Sequence, residues 1–146
     1  LGALLAAPSR GDELIPVLST YGLPLGDAFQ MRDDVLGAFG DTAITGKPVG
    51  DDLREGKPTP LMAIATARAN AAQLKELQLV GNQDLTTEQI ARVQEVIRET
   101  GALDELEEVI TRLTDEAIAA AQNVPFAQSV RDELITLAEY VSWRTV

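Results

Sequence analysis

Cysteine and histidine are both absent from this chain of 146 residues. Without cysteine, no disulfide framework, zinc–thiolate site or cysteine nucleophile can form. Without histidine, the Ser-His triad, the commonest general base and the commonest transition-metal ligand are excluded too. Any metal must therefore be held by oxygen, which favours Mg²⁺, Mn²⁺ or Ca²⁺. Aromatic residues are scarce, at 4%, and no stretch alternates apolar and polar residues in the manner of a strand. Cations are few: 12 Lys and Arg stand against 23 Asp and Glu, a net charge of −11, with no basic block. That balance argues against nucleic acid or an acidic lipid surface as partner. No apolar run approaches bilayer-spanning length, and the lack of cysteine fits a cytoplasmic location.

What remains is rich in Ala and Leu, residues that favour helix. The hydrophobic content of 45% supports one globular domain with a real core. The class expected is all-α. Leu1, Leu4 and Leu5 already fall on one helix face with no N-cap before them, so the chain reads as starting inside a helix, as a fragment. Leu1–Ala7 is a short helical piece closed by Pro8-Ser9 and Gly11. A helix then starts near Asp12, and Leu14, Leu18, Tyr21, Leu25, Phe29 and Leu36 recur at helical spacings to about Phe39. Pro24 should kink that helix or split it near Gly22. Residues 41–59 keep no apolar period and read as a long loop, of the kind that is usually a functional lid or a disordered segment.

Thr59-Pro60 has the form of an N-cap followed by an N1 proline and opens a helix to roughly Leu77. Thr86 to Gln89 resembles a capping box, with Ile90, Val93 and Ile97 on one face before Gly101 ends the helix. Leu103, Leu106, Ile110, Leu113 and Ala117 mark the next helix. Asn123-Val-Pro125 separates it from a last one carrying Phe126, Val130, Leu134, Leu137 and Val141. Tyr140 and Trp143 are expected to pack a helix rather than bind a ligand.

Two adjacent carboxylates, Asp33 and Asp34, interrupt this helical order. A lone Asp-Asp pair usually marks a solvated helix end. Here the flanks, Phe29, Val35, Leu36 and Phe39, are apolar. Burying the carboxylates there without a cation would cost several kcal/mol, about the penalty of a desolvated charge. Gln30 and Asp33, three apart, share a face, whereas Asp34 points about 100° away, so Asp33 is expected to be the carboxylate aimed at a ligand. Two Gly-Lys pairs follow, at Lys47 and Lys57, in a loop that does not match the Gly-x4-Gly-Lys-Ser/Thr phosphate loop. Taken singly, those lysines and the Asp51-to-Glu55 charge run read as solvated loop. Together, carboxylates for a hard cation and lysines for an anion point to a metal–diphosphate site.

The run from Gly26 to Leu36, with Gly40-Asp41, Gly46-Lys47, Gly50-Asp-Asp-Leu53 and Gly56-Lys-Pro-Thr59, resembles the second aspartate-rich region of trans-type polyprenyl diphosphate synthases of the geranylgeranyl and farnesyl type. Weaker likeness extends to Leu1-Gly-Ala, Leu18 to Gly22 and Glu99 to Ala102, so residues 1–146 resemble the C-terminal part of such an enzyme. The resemblance implies the all-α isoprenoid synthase fold and a homodimer in the complete form. It implies a prenyltransferase that condenses isopentenyl diphosphate with an allylic diphosphate, using two or three Mg²⁺ ions. It gives Asp33 the role of principal metal ligand with Asp34 beside it, and Gln30, Lys47 and Lys57 contact with the allylic diphosphate. Asp33 and Lys47 become the catalytic residues, residues 41–59 the active-site loop, and Asp52 a residue that helps close it.

The likeness has gaps. Gly37 stands where many members have a third aspartate, and Thr59-Pro60-Leu61 reorders the usual Thr-Leu-Pro. No first aspartate-rich motif occurs in the chain, so the isolated chain is expected to be inactive. A non-catalytic synthase-like subunit, a terpene cyclase-like helical protein and a plain helical scaffold are the rival readings.

Overall fold

The computed structural model describes residues 10–40 and 49–143. Among them lie seven α-helices and no strand: α1 Gly11–Phe39, α2 Asp51–Glu55, α3 Pro60–Arg68, α4 Ala71–Leu77, α5 Thr87–Glu99, α6 Ala102–Gln122 and α7 Gln128–Trp143. The all-α expectation holds. The expected helical piece at Leu1–Ala7 lies outside the described residues.

α1 runs unbroken through Pro16 and Pro24, so the split near Gly22 does not occur. Each proline removes one backbone hydrogen bond and crowds the carbonyl four residues back, at about 3 kcal/mol. Against this, Tyr21, Leu25 and Ala28 are all buried, and burying two large side chains contributes roughly 1.5–3 kcal/mol each. Packing therefore carries the helix across its weak points. The expected end at Phe39 is observed, with Gly40 N–H closing the last turn onto Leu36 C=O at 2.7 Å.

The expected loop 41–59 is not irregular throughout. Residues 41–48 lie outside the described set, but 51–55 form α2, bounded by Gly50 (φ 70°) and Gly56 (φ 68°). Leu53, 1% exposed, anchors this single turn, a signal too short to show as a period. Beyond it Thr59 Oγ1 accepts from Met62 N–H, so the expected cap is present. The expected helix to Leu77 is two helices, because Ala69 is extended and Asn70 starts a new capping box with Gln73. That Asn-x-x-Gln pair is a local signal the apolar spacing alone passes over. The Thr86–Gln89 box forms as expected, and Ile90, Val93 and Ile97 are all buried.

The described chain forms two compact units, one of Gln30–Val109 and the other of residues up to Phe29 and from Ile110 onward. In the second, Tyr21, Leu25, Ala117, Ala121 and Ala138 form the core, flanked by Leu134, Ile135 and Val141. The buried face of α7 thus matches the expected one at Leu134 and Val141 but not at Val130 and Leu137. Val130 and Leu137 are 44% and 48% exposed, and Tyr140 and Trp143 are exposed as well. The face runs through Leu134, Ile135, Ala138 and Ser142, and small residues at 138 and 142 give an apolar count no signal. In the unit Gln30–Val109, α3 and α4 both pack on α5, and this scaffold carries the site.

Candidate functional site

The site lies within the unit Gln30–Val109, on the C-terminal part of α1 and on the turn of α2. Asp34 is buried, at 3%, whereas Asp33 is exposed. Lys57 Nζ donates to Asp34 Oδ1 at 3.0 Å and to Asp52 Oδ2 at 3.2 Å. Gln30 Nε2 donates to the same Asp34 oxygen at 3.2 Å. The side chains of Asp34 and Asp52 are 4% and 12% exposed, against 35% for Lys57. The hydrogen bond to Asp34, the desolvation that opposes it and the bond to Asp52 together leave the Lys57 pKa raised. Lys57 is therefore an ammonium held by two carboxylates, with part of its surface open to solvent.

Of the residues picked out in the sequence, Gln30, Asp34 and Lys57 are brought together, and Asp52 joins them. Gln30, expected to share a face with Asp33, makes an i,i+4 bond to Asp34. Asp33 stands on the solvent side of the helix. Lys47 lies outside the described residues.

Several contacts hold this part of α1 in place. Arg32, 8% exposed, makes a two-pronged ion pair with Glu107, at 2.8 and 2.6 Å. Gln94 Nε2 donates to Ala38 C=O at 2.7 Å, and the Arg98 guanidinium lies 4.7 Å from the Phe39 ring centroid. No local pattern announces Arg32–Glu107, because 75 residues separate the partners. The turn of α2 is pinned by Gly81 N–H donating to Leu53 C=O at 2.9 Å. Gly56 packs so closely on Gly81 that a Cβ would come within 2.8 Å of its Cα. A left-handed φ and a close backbone approach thus both require glycine immediately before Lys57.

The donor set suits a hard divalent cation. All donors are carboxylate oxygens, and Mg²⁺ takes one or two of these together with waters and phosphate oxygens. Among the described residues no three acidic side chains gather into a full cage. The chain offers part of a coordination shell, which fits a metal shared with a phosphate-bearing ligand.

An all-α scaffold with paired aspartates on one long helix, and a glycine-framed lysine returning to them, defines a helical protein of the isoprenoid synthase fold. Comparison with known proteins supports this. The Polyprenyl synthetase family profile matches residues 1–100, and the chain belongs to that family. It is 33% identical over 144 residues to the geranylfarnesyl diphosphate synthase of Aeropyrum pernix, covering 93% of this chain and 44% of the relative. A crystal structure of geranylgeranyl pyrophosphate synthase from Corynebacterium glutamicum, complexed with isoprenyl diphosphate and magnesium, superposes with a TM-score of 0.85. Identity there is 43%, over 90% of this chain and 38% of that one. Polyprenyl synthase from Caulobacter crescentus, complexed with calcium and isoprenyl diphosphate, gives a TM-score of 0.78 at 36% identity, over 90% of this chain and 40% of that one. The chain thus spans about two fifths of the length of these relatives.

Proposed function

We propose that this chain supplies one wall of the metal–diphosphate site of a prenyltransferase that joins isopentenyl diphosphate to an allylic diphosphate. The observation that carries the reading is the Lys57 ammonium fixed between Asp34 and Asp52, with the exposed Asp33 next to Asp34 in the chain. Asp33 and Asp34 hold Mg²⁺, and Lys57 and Gln30 meet the diphosphate of the allylic substrate. Lys47 takes the same role from the segment before α2, and this wall corresponds to the second aspartate-rich motif. When bound, the metal would neutralise charge growing on the leaving diphosphate. The protein's own part is electrostatic and positional: a preset ammonium lies ready where negative charge develops, which lowers the barrier to ionisation. No general base from histidine is called on in this arrangement.

The opposite wall is not supplied, because the chain contains no Asp-Asp-x2–4-Asp run followed by arginines. The isolated chain is therefore inactive in condensation. Two assays test this. Incubated with Mg²⁺, isopentenyl diphosphate and an allylic diphosphate, the purified chain should release no elongated product. Grafted in place of the matching part of the Corynebacterium glutamicum synthase, it should restore condensation, and Asp33→Ala should lower that by about 100-fold, the loss typical of removing one electrostatic stabiliser. Product formed by the isolated chain, or an active graft indifferent to Asp33→Ala, would refute the reading.

A further inference from the structure

Gly37 lies one turn beyond Asp33 and Asp34 on α1. Its backbone gives no reason for glycine, since among the described residues the positive-φ glycines are Gly50, Gly56, Gly81 and Gly101. In the middle of a helix glycine is less stabilising than alanine, because it loses more backbone freedom on folding. The reason for it is space. A Cβ at position 37 would fall on the Asp52 carboxylate, whose Oδ2, Cγ and Oδ1 all lie within 3.0 Å of the place it would take. From that space, and only 12% exposed, Asp52 accepts the Lys57 bond at 3.2 Å. Asp34 accepts the other, at 3.0 Å.

We propose that Asp52 is a positioning residue for Lys57, and that Gly37 is the residue that admits it. The helix is left bare at one point so that a carboxylate arriving from α2 can fix the direction of the ammonium. The inference rests on the reading above, in which Lys57 meets a diphosphate. A free lysine keeps rotamer entropy that is lost when it binds. Two carboxylates remove most of that freedom beforehand, so less is lost when the anion arrives. Asp34 alone would leave the ammonium free to swing about a single contact.

The rival account is that Asp52 only favours the first turn of α2 and that its contact with Lys57 is incidental. The full 146-residue chain separates the two, because it contains three lysines, Lys47, Lys57 and Lys75, whose ammonium ¹⁵N signals can be told apart by Lys→Arg variants. Relaxation of the Lys57 Nζ signal should report an ordered ammonium in the native chain. It should report a mobile one in Asp52→Asn and in Gly37→Ala, with the helical circular dichroism retained. The double variant Gly37→Asp/Asp52→Ala returns a carboxylate to the same space from the α1 side and should restore order. An ammonium equally ordered in folded Asp52→Asn, or mobile in the native chain, would overturn the proposal. A folded double variant that fails to recover would overturn the part assigned to Gly37.

Binding of inorganic pyrophosphate in the presence of Mg²⁺, measured on the same proteins, supplies the second readout. Asp52→Asn should weaken it roughly two- to fivefold, the worth of a partly exposed ion pair. Affinity unchanged while Lys57 becomes mobile would overturn the role given to Asp52. Absence of pyrophosphate binding in a native chain whose Lys57 is ordered would instead count against the diphosphate reading, with the positioning of Lys57 intact.

Discussion

At the scale of single residues, burial decides which charged contacts matter. Arg10–Glu13, Arg98–Glu95 and Arg112–Glu116 are exposed pairs one turn apart, of a kind that contributes a few tenths of a kcal/mol at most. Arg32–Glu107 differs, because the Arg32 side chain is 9% exposed and sits next to Asp33 in the chain. Glu107→Ala should cost about 3 kcal/mol, the lower end for breaking a buried pair, since Glu107 itself keeps some solvent contact. Urea unfolding followed by circular dichroism measures it; a cost no larger than that of Glu116→Ala would contradict this account.

Tyr21 gives a pH-dependent counterpart. Its hydroxyl donates to Leu134 C=O at 2.8 Å, and burial raises its pKa. A folded-state value above the unfolded one means the stabilisation is present at neutral pH and is lost as pH climbs past about 10, the ordinary phenol range. The native chain should therefore exceed Tyr21→Phe in stability by about 1 kcal/mol at neutral pH. That gap should close above the phenol range, as denaturation midpoints of the two proteins would show.

Local chemistry at the scale of elements was legible in the sequence, and long-range chemistry was not. Thr59-Pro60 and Thr86–Gln89 open helices as their spacing predicts, because a cap is settled within four residues. Asp33-Asp34 was visible as a break in an apolar pattern, but which carboxylate turns inward depends on partners elsewhere. Asp34 is buried because Lys57, 23 residues on, comes back to meet it. The turn of α2 escaped notice because its one apolar anchor, Leu53, makes no period. Its shape depends on Gly56, where a left-handed φ and contact with Gly81 coincide. Gly56→Ala should destabilise the chain by roughly 1–3 kcal/mol, as strained backbone positions do. It should also weaken pyrophosphate binding through the displaced Lys57. An unchanged melting midpoint would contradict this part of the account.

For the whole molecule, family membership follows from the match over residues 1–100 and the close superposition on solved relatives. The chain covers 44% or less of the length of these relatives. Among the described residues no helix is long and apolar enough to cross a membrane. The proposed wall would hold a diphosphate through a metal on Asp33 and an ammonium on Lys57. Titration calorimetry of the 146-residue chain with inorganic pyrophosphate, with and without Mg²⁺, tests it most directly. The account predicts heat of binding that requires Mg²⁺ and that disappears in folded Asp33→Ala. Binding of equal strength in the native chain and in Asp33→Ala, or none in either, would contradict it.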